Sequence, residues 1–296
     1  MSPTCRICSS SRSTPWWHHG GWWYRQCAAC SAVWLDPLPG NGWAEIFYDQ
    51  GYFVGGGRGG YDDYLAGEPQ HRSNARARLG IARRFGATAP ALWVDFGCSV
   101  GFALDETRRA GFTVLGIEAS HWARGLARER FGLPVHPTLA DAQPGISGKA
   151  AVVSMFQVLE HLPDPIAALT EVHACMRPGG LLLIETWDRG SFVARLFGRH
   201  WQQITPPSVL WLFDRKCLAS ALEDTGFRVT AILRTSKRLS LGWGLGLLAE
   251  KVPRFLAPAI RFLERSPLSR IGVTYRMGDL VTIVAVALSG SSDMLG

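Results

Sequence analysis

The sequence predicts an α/β fold behind a small cysteine-rich ribbon, and three observations carry the prediction. Two CxxC pairs, Cys5/Cys8 and Cys27/Cys30, stand near the start. From Ala91 onward, strand-length apolar runs alternate with helical patterns. The first of those runs ends in a glycine turn and the next in an acid, Glu118. The chain has 296 residues, 47% of them hydrophobic and 19% charged, which excludes disorder for most of it and allows a substantial core without disulfides.

The four N-terminal cysteines fit a closed four-thiolate zinc site in number and spacing, so Cys5, Cys8, Cys27 and Cys30 are the expected metal ligands. The segment between the pairs is too short to bury a core of its own, and a structural metal supplies what burial cannot. Four thiolates leave no open position, so the metal is expected to be structural and not catalytic. An odd total of seven cysteines with two CxxC pairs speaks for a reducing compartment. With no signal peptide legible at the N-terminus and no apolar run near 20 residues, a cytoplasmic location is expected. The ribbon is expected over 1–40, followed by a linker and helical cap over 41–88 that holds Tyr48, Tyr52 and Phe53, a glycine-rich break at 55–60 and a helix at 68–86. The arginines of that helix read as a solvated face.

The next unit runs strand (91–96), turn (Gly97-Cys98-Ser99-Val100-Gly101-Phe102), helix, strand (113–117) and Glu118. That order is the one that binds an adenosine-containing cofactor. Glycines admit the ligand to the backbone, and a carboxylate at the second strand's tip takes the ribose hydroxyls. The GxxxG spacing lacks the third glycine of a dinucleotide site. It resembles motif I of the class I S-adenosylmethionine-dependent methyltransferases. Gln157-Val158-Leu159-Glu160-His161-Leu162 resembles that family's "vLEHl" segment, and Met176-Arg177-Pro178-Gly179-Gly180 its "LkPGG" turn, in the family's order.

The ribbon and the Tyr48/Tyr52-Phe53 segment resemble a bacterial subgroup of the family that carries the same cysteine quartet and is often associated with glycan or secondary-metabolite pathways. The resemblance implies a Rossmann-like seven-stranded sheet over 89–290, with strands six and seven at 227–235 and 279–288. It also implies S-adenosylmethionine contacts from Asp95, Gly97, Cys98, Gly101, Phe102, Glu118, Ala119, Leu139, Phe156 and Gln157. Two departures stand out. Ser99 fills the central motif I position, and no histidine lies near Val209, so that family histidine's role does not transfer.

Methyl transfer is an in-line displacement in which placement of the acceptor does most of the work, with a base needed when the nucleophile starts protonated. His161, Asp188 and His200 are the candidates for it, while Glu160 reads as structural. Between strands six and seven lies a basic, apolar insertion, 237–278, with Leu241 to Leu248, then Phe255, Ile260 and Phe262 among arginines. It is expected to be helical, as a substrate lid, a homodimer contact or a peripheral contact at the inner membrane face.

Net charge is +7, and it is uneven. Residues 1–188 carry 16 basic and 17 acidic groups, whereas 189–276 carry 15 and 5. The charge-balanced first part argues against nucleic acid as partner. The basic later part points to an acidic or phosphate-bearing small-molecule or glycan acceptor. The expected activity is O-methylation of a sugar, glycan precursor or secondary metabolite. C-methylation of a nucleotide-linked sugar, RNA methylation and a non-catalytic scaffold are the alternatives.

Overall fold

The computed structural model describes residues 3–40, 42–55, 60–242, 245 and 271–289. The greater part of the expected insertion, including its apolar and arginine-rich stretch, lies outside the described residues.

The chain opens with a ribbon of three antiparallel strands, β1 (Ser13–His19), β2 (Trp22–Cys27) and β3 (Val33–Asp36). Two short helices follow, α1 (Trp43–Phe47) and α2 (Gln50–Phe53), then the long α3 (Glu68–Arg84). The alternating part begins with β4 (Leu92–Phe96), α4 (Phe102–Arg109), β5 (Thr113–Ile117), α5 (His121–Phe131) and β6 (Val135–His136). It continues through α6 (Leu139–Ile146), β7 (Ala150–Phe156), α7 (Pro165–Cys175), β8 (Met176–Trp187) and α8 (Phe192–Phe197). The remainder is β9 (Trp211–Leu212), α9 (Arg215–Asp224), β10 (Phe227–Arg234), β11 (Lys237–Ser240), β12 (Gly272–Tyr275) and β13 (Leu280–Ala287).

Helix starts follow from local chemistry. Ser120, Asp164 and Asp214 each accept a bond from the backbone N–H three residues on, and Thr138 with Asp141 forms a capping box. The central strands are apolar on both faces: β7 is buried along all but its last residue. That is the pattern of strands covered by helices on each side.

The main sheet has seven strands in the order β10-β13-β8-β7-β4-β5-β6. Strands β4 to β8 run parallel, while β13 is antiparallel to both β8 and β10. Strand order reverses between β4 and its two neighbours, β5 and β7, which opens a crevice beyond their carboxyl ends. The expected α/β sheet is therefore present, with its sixth and seventh strands within a residue of the expected positions.

The ribbon is not a separate bead. Its sheet takes a fourth strand, β9, from the far end of the sequence, pairing Val33 with Leu212 and Trp34 with Trp211. Trp34 and Trp211 are both buried, with ring centroids 6.0 Å apart. One continuous core joins ribbon residues Tyr24, Val33 and Leu35 to Leu210, Phe213 and the helices beneath the sheet. At about 25 cal/mol per Å2, the buried indoles and aliphatics at this junction are the main force docking the ribbon.

The flanks of the insertion that are described form a separate two-stranded ladder, β11 with β12. Asn74 of α3 clamps it: its Nδ2 donates to the Arg238 carbonyl at 2.9 Å, and its Oδ1 accepts from the Arg238 N–H at 2.7 Å. The side-chain amide thereby acts as a short extra strand and fixes β11 against α3.

Candidate functional site

The glycine turn after β4 shapes a cavity of about 380 Å3 at the carboxyl ends of β4, β5 and β7. Gly97 has φ +77°, and a Cβ there would sit 2.4 Å from Val158 Cγ2, so only glycine fits. Ser99 follows with φ +52° and Gly101 with φ +88°, which coil the backbone before α4 begins. Glu118, at the tip of β5, accepts from the N–H groups of Ser99 and Ser120, both at 2.8 Å. These bonds hold the carboxylate at the cavity wall, and burial pushes its pKa up.

Of the residues expected at the cofactor, Gly97, Glu118, Ala119, Leu139, Phe156 and Gln157 line this cavity. Asp95, Cys98, Gly101 and Phe102 lie behind it. Asp95 accepts a 2.6 Å bond from Ser154 Oγ, which in turn accepts from Trp93 Nε1, and burial raises the Asp95 carboxyl to about 6. Cys98 is buried against the position a Gly116 side chain would need. Phe102 stacks in an aromatic cluster with Tyr64 and His71.

Among the described residues, two buried polar atoms on the cavity wall have no hydrogen-bond partner, Ser99 Oγ and Gln157 Nε2. Buried polar groups left unpaired are costly, so both fit a site completed by a polar ligand. Gln157 also holds φ +58°, a strained value for a side-chain-bearing residue that recurs at functional sites. A carboxylate for the ribose, a glycine cradle and unpaired donors together suit S-adenosylmethionine.

The other end of the cavity is built from distant segments. Tyr48, Tyr52, Tyr61 and Tyr64 supply an aromatic wall, His71, Asn74 and Arg78 enter from α3, and Lys237 enters from β11. His161 lies here too. Its Nδ1 is 2.6 Å from the Ser208 carbonyl oxygen, so Nδ1 carries the proton and donates. Burial holds the imidazole down to about 4, keeping it neutral and leaving Nε2 as an acceptor.

The Ser208 carbonyl is itself placed from both sides. Tyr24 of the ribbon donates to the adjacent Val209 carbonyl at 2.6 Å, the Leu210 N–H donates to the Glu160 carbonyl at 2.9 Å, and the Leu35 N–H donates to the Leu210 carbonyl at 2.8 Å. The segment that lacks the family histidine thus orients His161 through its backbone.

Asp188 and His200 are not brought to the cavity. Asp188 is buried beside α9, paired with Arg215 at 2.8 Å and accepting from the Gly190 N–H at 2.8 Å, which makes it a turn-fixing acid. His200 is exposed at the end of the turn Gly198–His200. Glu160 is buried, with neither carboxylate oxygen hydrogen-bonded among the described residues, and burial raises it to about 7.

The solvated-face reading of the α3 arginines needs correction. Arg76, Arg83 and Arg84 are exposed, but Arg72 pairs with Glu68, Asp105 and Glu106, and Arg78 points inward. Arg78 makes two bonds to Glu185 and lies 4.4 Å above the Phe156 ring. His71, Asn74, Arg78 and Lys237 were not among the expected site residues. A signal was present for three of them, because positions 71, 74 and 78 share one stripe of a helix whose neighbours there are apolar.

The four N-terminal cysteines form the single metal-capable cluster of His, Cys, Asp and Glu among the described residues, their sulfurs all within 4.8 Å of one another. Cys5 and Cys30 sulfurs are 3.7 Å apart, and those of Cys8 and Cys27 are 3.5 Å apart. A tetrahedral zinc at about 2.3 Å from each sulfur needs about 3.8 Å between them. Each CxxC is followed by a serine in the left-handed region, Ser9 at φ +57° and Ser31 at φ +63°, which turns the knuckle back. The Ala29 N–H donates to Cys27 Sγ at 3.3 Å.

Comparison with known proteins bears on the fold and the family. A model of the methyltransferase domain matches residues 70–232, more than half of the chain. The ubiquinone biosynthesis O-methyltransferase of Cereibacter sphaeroides is 31% identical over 115 residues, covering 36% of this chain and 47% of that protein. The enzyme of the same name from Methylococcus capsulatus is 34% identical over 105 residues, covering 32% and 43%. The chain therefore spans somewhat under half the length of these curated relatives.

Among solved structures, a candidate methyltransferase of Bacillus halodurans superposes with TM-score 0.53 at 13% identity, covering 72% of this chain and all of the other. The YcgJ protein of Bacillus subtilis gives 0.51 at 12%, covering 73% of this chain and all of that one. At such identities the likeness is one of fold. With the domain match covering most of α3 through β10, the chain belongs to the methyltransferase domain family.

Proposed function

We propose that the chain is an S-adenosylmethionine-dependent O-methyltransferase acting on a small-molecule hydroxyl, with a structural zinc in its N-terminal ribbon. One observation carries the reading: a single cavity runs from the Glu118 carboxylate to the neutral, tautomer-fixed His161. The first is suited to a ribose and the second to a hydroxyl proton. The printed name of the relatives, an O-methyltransferase, supports oxygen as the acceptor atom.

When bound, S-adenosylmethionine would supply a methyl carbon on a sulfonium, open to in-line attack by an acceptor oxygen, with the C–S bonding pair passing to sulfur. The chain's residues do the rest. Glu118 and the turn at 97–101 bind and orient the cofactor, and Gln157 offers its free amide N–H. His161 Nε2 takes the acceptor's hydroxyl proton as the new C–O bond forms and later releases it to water. The tyrosine wall and Phe156 keep water from the reacting atoms, and their π faces suit a cationic sulfur.

The four thiolates, closed around zinc, take no part in the reaction and hold the strands that position Ser208. The test is transfer of a labelled methyl group from S-adenosylmethionine to hydroxyl-bearing acceptors, with the product's methylated atom read by NMR. Labelled ether product is expected; label found only on carbon or nitrogen would contradict the oxygen reading.

A further inference from the structure

Lys237 occupies an unusual place. It lines the cofactor cavity and also a neighbouring cavity of about 300 Å3, walled by Tyr61, Tyr64, His71, Trp187 and Leu239. It is largely buried, yet among the described residues no carboxylate forms an ion pair with it. Its one side-chain hydrogen bond among the described residues is to a neutral group, Gln157 Oε1.

The charged groups around it come from three elements. Arg78 of α3 repels it, and Glu185 of β8 and Glu160 of the turn after β7 attract it. Glu185 is already engaged by both nitrogens of the Arg78 fork. Glu160 is raised to about 7 and so carries only part of a charge at neutral pH. An ammonium in this position lacks the counter-anion that burial ordinarily requires.

We propose that Lys237, at the junction of the two cavities, selects an acceptor bearing an anionic oxygen group, a carboxylate or a phosphate, whose hydroxyl lies at the His161 end of the cofactor cavity and whose remainder extends into the neighbouring one. This rests on the methyltransferase reading above and names the acceptor class within it.

The position of Lys237 is built and not incidental. Asn74 clamps the Arg238 backbone on both its N–H and C=O, which sets the register of β11 and aims residue 237 inward. Tyr61, Tyr64 and His71 are shared by the two cavities, so a molecule seated in the second lies against the first. His71 is held neutral by burial, at about 3, and Tyr64 stacks on it with centroids 4.1 Å apart. The shared wall is thus aromatic and uncharged apart from Lys237, while the exposed Arg238 adds a second cation to the lining of the neighbouring cavity.

Asp62 and Asp63 sit at the outer rim of the second cavity, where both are exposed and screened by water. Lys237, pushed down to about 8 by burial, is still mainly protonated at pH 7. The stalk of the insertion, and not only its basic composition, is what delivers a positive charge to the site.

The test uses the full chain and matched pairs of probes: hydroxybenzoates against their amides, and sugar phosphates against their parent sugars. Binding is measured by calorimetry without S-adenosylmethionine and then with it. At least one acid is expected to bind the wild type tenfold or more tightly than its neutral mate, and the pair that shows it tells carboxylate from phosphate. Lys237→Met should shrink that preference to about twofold, and Lys237→Arg should restore part of it. Lys237→Gln serves if the methionine variant does not fold.

Equal binding of every acid and its neutral mate, no binding by either included, overturns the proposal. So does a preference that survives in both charge-removing variants. Loss of S-adenosylmethionine affinity in those variants with the acid preference intact also overturns it, because Lys237 would then serve the cofactor, directly or through Gln157. Failure of the wild type to bind S-adenosylmethionine at all sinks the methyltransferase reading instead, and the acid preference is still read without it.

Discussion

The two ends of the cavity are made in different ways. The cofactor end is nearly contiguous in sequence: the turn at 97–101, Glu118, Ala119 and Leu139 come from one strand-helix-strand stretch and its continuation. The end proposed for the acceptor draws Tyr48 to Tyr64, three residues of α3, His161 and Lys237 from segments almost 190 positions apart. It is also held from outside the sheet. The ribbon fixes the Val209 and Leu210 carbonyls, and through that segment the Ser208 carbonyl that sets the His161 tautomer. A generic cofactor can be served by a local motif, whereas an acceptor site needs surfaces that only tertiary structure brings together.

The largest expected effect separates the two ends through the ribbon. Removing zinc by chelation, or replacing Cys27 with serine, deletes a site whose apparent binding free energy is about 10–16 kcal/mol in comparable zinc modules. The ribbon should unfold and methyl transfer should collapse, while S-adenosylmethionine binding to the remaining domain changes much less. Metal content, thermal unfolding and calorimetry on the same sample check this. Parallel loss of cofactor binding and transfer would erase the contrast between the ends.

A smaller effect is confined to the acceptor end. His161→Ala should lower kcat by about 10²–10⁴-fold with cofactor affinity unchanged. The same residue sets the acid side of the pH profile. Burial lowers its pKa from 6.5 to about 4, so the neutral, proton-accepting form persists as pH falls and is lost only on passing below about 4. In wild-type enzyme, kcat that declines with a midpoint near 6.5 would show that a different, solvent-exposed base is at work.

The smallest effect concerns how the ribbon is held. Arg6 and Asp164 join it to α7 across 3.5 Å, but their side chains are 46% and 43% exposed. Such pairs contribute about 0–1 kcal/mol, so Arg6→Ala should shift the melting temperature by no more than a degree or two. A larger shift would mean that docking depends on charge at the rim and not on the buried Trp34–Trp211 junction.

Legibility in the sequence followed the same division. Strand and helix limits in the α/β part were close to observation because periodicity, capping residues and glycine stops all agree there, as at Asp214 and Gly226 for α9. The cysteine quartet was legible because metal ligation demands fixed spacing. At the cofactor end, Gly97, Glu118 and Gln157 were named from motif order, yet Cys98 and Phe102 fell behind the wall, since spacing cannot say which way a side chain turns.

At the acceptor end, Asp188 looked well placed at the carboxyl end of a strand but is consumed by Arg215. Arg78 and Arg72 were read with their exposed neighbours, because nothing local marks the distant acids that pair with them. Lys237 was seen only as the first residue of an insertion. Its role follows from the Asn74 clamp, a contact between residues 164 positions apart.

The most direct test of the account is a calorimetric titration of S-adenosylmethionine into the wild type and the Glu118→Ala variant. One site per chain is expected in the wild type, weakened about ten- to a hundredfold in the variant by loss of a charged hydrogen-bonding partner to a ribose. No binding to the wild type, or equal binding to both proteins, would contradict it.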